Sequence, residues 1–162
     1  PKVTAVETEE VEADGISILG RGVRRLTRVD RVFKINDEVS CFSQFYVDTK
    51  RFPFFESKEL KEFEASNFKG QIYRRYNVAI GKVQQFMRWQ EAPEHIAQHL
   101  NIPAGTPVTV LEFLALGTND RPLYFQKAFV PINDYRLSLG GKLEDNGFNA
   151  LADINVAFID IA

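Results

Sequence analysis

Ile35–Val47 reads INDEVSCFSQFYV, and 83 positions later Thr118–Val130 reads TNDRPLYFQKAFV. Asn36-Asp37 recurs as Asn119-Asp120, Phe42 as Phe125, aromatic Tyr46 as aromatic Phe129, and Val47 as Val130. The separation does not fit the periods of stacked repeats, roughly 20–50 residues, so the chain reads as a two-fold internal duplication. In each copy Asn-Asp is a turn signal between two β-rich runs, which makes a hairpin. In the first copy Val23–Lys34 (VRRLTRVDRVFK) alternates as a strand does. Arg25, Thr27, Val29, Arg31 and Phe33 share one face, and Arg24, Leu26, Arg28 and Asp30 the other. VSCFSQFYV is the returning strand. In the second copy VTVLEFLAL leads through GTNDRP into LYFQKAFV, and the lead-ins EADGISILGRG and EHIAQHLNIPAG correspond loosely. Sequential hairpins with flanking helices predict an α+β fold on an antiparallel sheet. Two half-copies joined edge to edge would form one sheet with fewer open edges.

The 162 residues are expected to form one domain, with repeats at about 3–53 and 83–139 and a C-terminal extension at 140–162. After a short β-rich start, a helix is expected from Thr8 as N-cap to Gly20, with Glu9, Glu10 and Glu12 near its positive end. Ser57 caps a second helix that turns Leu60 and Phe63 inward. Ser66 caps a third, with Phe68, Ile72 and Tyr73 or Tyr76 inward. NVAIGKVQQFMRWQ reads as extended. APEHIAQHL reads as a short helix with Pro93 in its first turn and Ile96, Ala97 and Leu100 as its buried stripe. The extension, which belongs to neither copy, reads equally as strand or helix.

Composition narrows the function. A net charge of −2 gives no whole-chain reason to expect nucleic acid or an anionic membrane as this segment's partner. No apolar run approaches the ~20 residues of a membrane span. The single cysteine, Cys41, excludes an internal disulfide and points to a reducing cytoplasm. The acidic opening PKVTAVETEEVEAD lacks the apolar core of a signal peptide, and a chain opening on Pro1 reads as a processed product or an excised domain. Fourteen phenylalanines imply a core or pocket built from rings.

There is no glycine-rich phosphate loop, no cysteine-histidine metal spacing and no serine-nucleophile elbow. No cofactor or metal is expected. His95 and His99 sit four apart on one helix face without an obvious third ligand and read as solvated. Cys41 reads as a buried small hydrophobe. Arg31 stands out because it shares a strand face with Val29 and Phe33. It is either paired with an internal carboxylate or placed for an anionic ligand.

The order of these features resembles the UTRA domain, the effector-sensing module of the HutC subfamily of GntR-type bacterial transcription regulators. A helix ends in Leu-x-x-x-Gly, an arginine-bearing strand follows, then an acidic turn and a strand ending in an aromatic. The best stretch is LNIPAGTPVTVLEFLALGTNDRPLYFQKAFVPINDYRLSL, and the likeness covers roughly Val3 to Leu139. The resemblance implies a chorismate-lyase-like fold, a small-molecule pocket, homodimerisation, a cytoplasmic regulator and an upstream winged helix-turn-helix that binds operator DNA. Sugar-phosphate-sensing relatives carry R-x-R on the first hairpin strand, a glutamate on the return strand, S-x-Y at a helix start and an acid after P-V in the second half. Here Arg31 matches the first arginine, Phe33 stands at the second, Ser43 at the glutamate, Ser66-Asn67-Phe68 at S-x-Y, and Tyr124 at the acid. The implied ligand is a smaller, more apolar or aromatic anion. Arg31 would anchor its charge, Phe33, Phe42, Phe68 and Tyr124 would wall it, and amides near Ser66 would form a second anion contact. Two other readings use the same scaffold: a chorismate-lyase-like enzyme, which the serine at position 43 disfavours, and a ligand-free dimerisation module filled by its own rings.

Overall fold

The computed structural model describes residues 2–11, 17–34, 40–56, 63, 67–139, 148–151 and 156–160. Six strands form an antiparallel sheet: β1 (Lys2–Glu10), β2 (Arg25–Lys34), β3 (Ser40–Asp48), β4 (Ile80–Glu91), β5 (Pro107–Gly117) and β6 (Pro122–Pro131). Their order is β1-β2-β3-β6-β5-β4. Helix α1 (Phe68–Tyr76) precedes β4, and α2 (Glu94–Leu100) joins β4 to β5. The expected α+β architecture is therefore present.

The sheet has an internal two-fold logic. Its two halves meet at the β3–β6 ladder, where Gln44 faces Lys127, the residue 83 positions further on. Phe42 faces Phe129 and Tyr46 faces Phe125. In the repeated phrase Phe42 matches Phe125 and Tyr46 matches Phe129, so each half offers the same two rings to the other in reversed order. Both cross-strand ring pairs have centroids 6.1 Å apart, within the range of favourable aromatic contacts. The second Asn-Asp turn closes the β5–β6 hairpin with Asp120 at φ 60, a left-handed conformation that aspartate tolerates. The first, Asn36-Asp37, lies outside the described residues.

Alternation divides the core in two. On one face Val29, Phe45, Val47 and Tyr124 pack against Phe52, Phe55, Phe63, Phe68 and Ile72. Each fully buried ring contributes roughly 1.5–3 kcal/mol of transfer free energy. On the other face α2 seats Ile96, Ala97 and Leu100 on Phe42, Val108, Val110 and Phe129. Leu19 and Val23 cover Phe125 at the equivalent place in the other half. Between these two covers runs a polar row, Asp30–Gln44–Lys127–Glu112, one residue from each successive strand.

Several local expectations are corrected. Thr8, Glu9 and Glu10 belong to β1, not to a helix. Thr8 faces Thr27 across the ladder. Glu10 pairs with Arg25 at 2.9 Å and Glu7 with Arg28 at 2.6 Å, and Glu9 also engages Arg28. Cross-strand ion pairs thus account for acids that otherwise suit a helix start. Residues 12–16 of that expected helix lie outside the described residues, and Ser17–Gly22 forms turns. The Ser57 cap is also outside them, although Phe63 is helical and buried. Helix α1 is capped by Asn67, whose side chain accepts a hydrogen bond from the Gly70 amide at 2.9 Å; Ser66 is outside the described residues. Tyr76, not Tyr73, turns inward, and its hydroxyl accepts from the Phe54 amide at 2.9 Å. Pro93 is the N-cap of α2. The extension contributes strands β8 (Phe148–Leu151) and β9 (Val156–Asp160), which form a separate sheet with β7 (Tyr135–Leu139), the end of the expected second repeat, in the order β7-β9-β8.

Arg28 holds the β1–β2 side of the polar face, also bonding Asp30 at 3.0 Å. Burial raises the Asp30 carboxyl above its usual range, against the attraction of Arg28. Because the folded carboxyl binds its proton more tightly than the unfolded one, ionising Asp30 costs stability as pH rises above the ordinary carboxylate range. Arg28→Met should remove about 3 kcal/mol at neutral pH by stranding that carboxylate. The deficit should shrink towards pH 4 as Asp30 takes up a proton, measured by urea melts across pH. A deficit equal at both ends of the range would contradict this account.

Candidate functional site

Arg31 lies in the middle of β2 and is 0% exposed. Its guanidinium carbon sits 3.7 Å from the Phe68 ring centroid and 4.8 Å from that of Phe33. The local pattern explains the sandwich. Phe33 is two residues along the same strand face, and Asn67 starts α1 so that Phe68, its first residue, drops onto the sheet. A guanidinium cannot shed its proton in a protein, so a permanent positive charge is buried here against ring faces. Each such contact is worth roughly 0.5–2 kcal/mol.

Ser43 faces Arg31 across the β2–β3 ladder. Its hydroxyl accepts a hydrogen bond from the Gln126 side-chain amide at 2.7 Å. Gln126 is the residue 83 positions after Ser43, so the two repeat-equivalent side chains meet beside the arginine. Phe45, the next residue on that face, touches Phe68 at 4.6 Å and Tyr124 at 4.9 Å between centroids. Tyr124 joins the group through Phe45, and Ala128 is the β6 residue opposite Ser43.

Arg31, Phe33, Ser43, Phe68 and Tyr124 are thus all buried on one sheet face. Phe42, expected as a wall of the same pocket, is on the opposite face. It neighbours Ser43, and adjacent strand residues point to opposite sides. Its ring instead stacks on His99 at 4.7 Å and 5°. Gln126 and Phe45 were missed. The signal for Gln126 was its 83-residue offset from Ser43, and for Phe45 its two-residue spacing from the same serine.

No group of three or more His, Cys, Asp or Glu side chains able to hold a metal occurs among the described residues. Cys41 is fully buried, and burial pushes its thiol up to about 12, so it is a poor nucleophile. The arrangement offers a fixed cation, ring faces, a hydroxyl and an amide. Such a set can hold a small planar anion, and the Ser43 hydroxyl lies without an adjacent general base among these side chains.

A family model described as the UTRA domain matches residues 2–136. No curated protein sequence matches the chain. The fold is similar to the ligand-binding domain of a protein assigned as a GntR-family transcriptional regulator from Bordetella bronchiseptica: TM-score 0.71, 17% identity, with 86% of this chain and 87% of that one covered. It is also similar to the effector domain of PhnF from Mycobacterium smegmatis, with TM-score 0.67, 18% identity, and 80% and 78% covered. Against a longer PhnF chain the TM-score is 0.65 at 18% identity, and 80% of this chain covers 55% of that one.

The serine–glutamine contact gives a direct test of packing at the site. Ser43→Ala leaves a buried amide hydrogen without its acceptor and should cost roughly 1–3 kcal/mol. Adding Gln126→Met should recover most of that loss in thermal melts. Additive losses would show that the two side chains are not coupled.

Proposed function

Because the chain belongs to the UTRA domain family, we propose that it is the effector-sensing domain of a HutC-type GntR-family transcription regulator, working in the cytoplasm and taking a small organic anion. The observation that carries this reading is Arg31: a permanent cation on an aromatic sheet face, held between two rings. The names of the similar structures, a ligand-binding domain and an effector domain, agree with it. This chain spans about half of the longer PhnF chain, 55%, which leaves room in a full-length regulator for an upstream winged helix that binds operator DNA.

Ser43, Phe33 and Tyr124 make the ligand class narrower. A hydroxyl-rich sugar needs several buried polar partners, and each one left unmade costs about 1–3 kcal/mol. The Phe33 and Phe68 rings offer none, so an anion with an aromatic or apolar body fits best, its charge on Arg31 and its body against Phe33 and Phe68. Phe33, Phe45 and Phe68 are buried, so the effector enters by displacing a ring or α1. Binding thereby favours one arrangement of the domain over another, which is what control of DNA binding requires.

The regulator's homodimer is proposed to form through β4. This strand has 12 residues and lies at the sheet edge with β5 as its ladder partner. Phe86, Met87 and Trp89 are 56%, 48% and 69% exposed. A long edge strand with bare aromatic residues is a template for strand pairing. A second copy, docked antiparallel by a two-fold axis, satisfies both edges at once and closes the assembly.

Two measurements test these proposals. In a thermal-shift screen of metabolite acids, a ligand at 100 times its Kd should add about 2.7 kcal/mol, or about 5–10 °C for a chain of this size. Arg31→Met, which keeps apolar volume, should weaken the same ligand at least tenfold. Equal stabilisation of both proteins would refute the anchor. The absence of any hit would favour the ring-filled dimerisation module, a reading that the full burial of Phe45 and Phe68 supports. Separately, light scattering should give a dimer for the native chain and a monomer for Phe86→Lys/Trp89→Lys with an unchanged circular dichroism spectrum. A dimer that survives both lysines would place the interface elsewhere.

A further inference from the structure

A second recess, of about 470 Å³, lies across the sheet from Arg31, lined by Lys2, Thr4, Val32, Lys34, Gln98 and His99. The strand register explains why these residues converge. Lys2 faces Val32 across the β1–β2 ladder, and Lys34 is the next residue on that face of β2. The two lysines are therefore diagonal neighbours, about 7–8 Å apart at the backbone, and their flexible stems are long enough to meet at one small ion. A register shift between Val3 and Ala5 takes Thr4 out of the ladder; such bulges re-aim a side chain. The Thr4 hydroxyl oxygen is shielded from solvent and has no hydrogen-bond partner. From above, α2 supplies Gln98 and His99, and the imidazole lies flat on Phe42 at 4.7 Å, which fixes the plane of its ring.

Arg28 is met by Glu7, Glu9 and Asp30. Among the described residues no carboxylate lines the recess, and neither Lys2 nor Lys34 takes part in an ion pair. Asp30, which feels the charge of His99, is already bonded to Arg28 at 3.0 Å. Two ammonium groups, a side-chain amide, an imidazole and an unsatisfied hydroxyl all offer donors from different directions. A planar carboxylate uses a coplanar fork such as arginine's. Donors spread around a hollow suit a tetrahedral oxyanion instead.

We propose that this recess is a second anion site, which binds phosphate or the phosphate group of a small metabolite. It is independent of the effector reading, because it uses the other face of the sheet and none of the residues around Arg31.

Titration of the ¹⁵N-labelled chain with inorganic phosphate at constant ionic strength tests the assignment. Saturable shifts confined to Lys2–Ala5, Val32–Lys34 and Gln98–His99 are expected. Lys2→Gln/Lys34→Gln should weaken binding at least tenfold and Thr4→Val severalfold, each with an otherwise native spectrum, while Arg31→Met leaves phosphate binding unchanged. Shifts that fail to saturate, or binding that survives loss of both lysines, would overturn the site. Acetate binding as tightly as phosphate would overturn the tetrahedral assignment.

Discussion

The ladder between β3 and β6 is the constraint on which the rest of this structure depends. It centres on Gln44 opposite Lys127, and from that centre alternation settles everything else. On one side it delivers Phe42 to Phe129 and Tyr46 to Phe125, the two ring pairs that α2 and the Leu19–Val23 segment cover. On the other it brings Ser43 to Gln126 and sets both beside Arg31. A slip of one residue would exchange the faces of every side chain on one half. The ring pairs would then point at the charged group and the hydroxyl at the wrong helix. Neither half contains the site; their junction does.

Strand β2 shows two solutions to one problem. Arg28 and Arg31 are three residues apart and so lie on opposite faces. Arg28 is part-exposed and surrounded by three carboxylates, an arrangement that stitches β1 to β2. Arg31 is fully buried with its guanidinium against the Phe68 and Phe33 rings, where little water competes for the cation. The same residue type therefore has a structural use on one face and a proposed recognition use on the other, and the pleat separates them.

Much of this was legible in the sequence, and the reasons are physical. The 83-residue echo marked both hairpins because turn residues and core rings are the positions a fold constrains most. The face of Arg31 followed from strand alternation, which needs only the correct strand. What failed was information held between segments. Thr8–Glu10 carries a sound helix-start signal, but its acids answer arginines on a strand fifteen or more residues away, and tertiary pairing overrides local preference. Phe42 was placed on the wrong wall although alternation with Ser43 gives the opposite side. Asn67 displaced Ser66 as the cap of α1 because neighbouring residues with equal capping ability differ only in which one the packing of Phe68 selects. The recess at Lys2 and Lys34 had no sequence signal at all, since it depends on a bulge and on a helix from the other half.

The β3–β6 junction also sets an order of events during synthesis. The two strands are separated by 83 residues at equivalent positions, so at about 5–20 residues per second β3 emerges roughly 4–17 s before its partner. Through that interval the first hairpin carries Phe42, Phe45 and Tyr46 beside an open edge. Unpaired edges of this kind invite the wrong neighbour, and in this chain the nearest wrong neighbour is the same strand of another nascent copy. A duplicated fold whose halves need each other is thus most vulnerable before the second half exists.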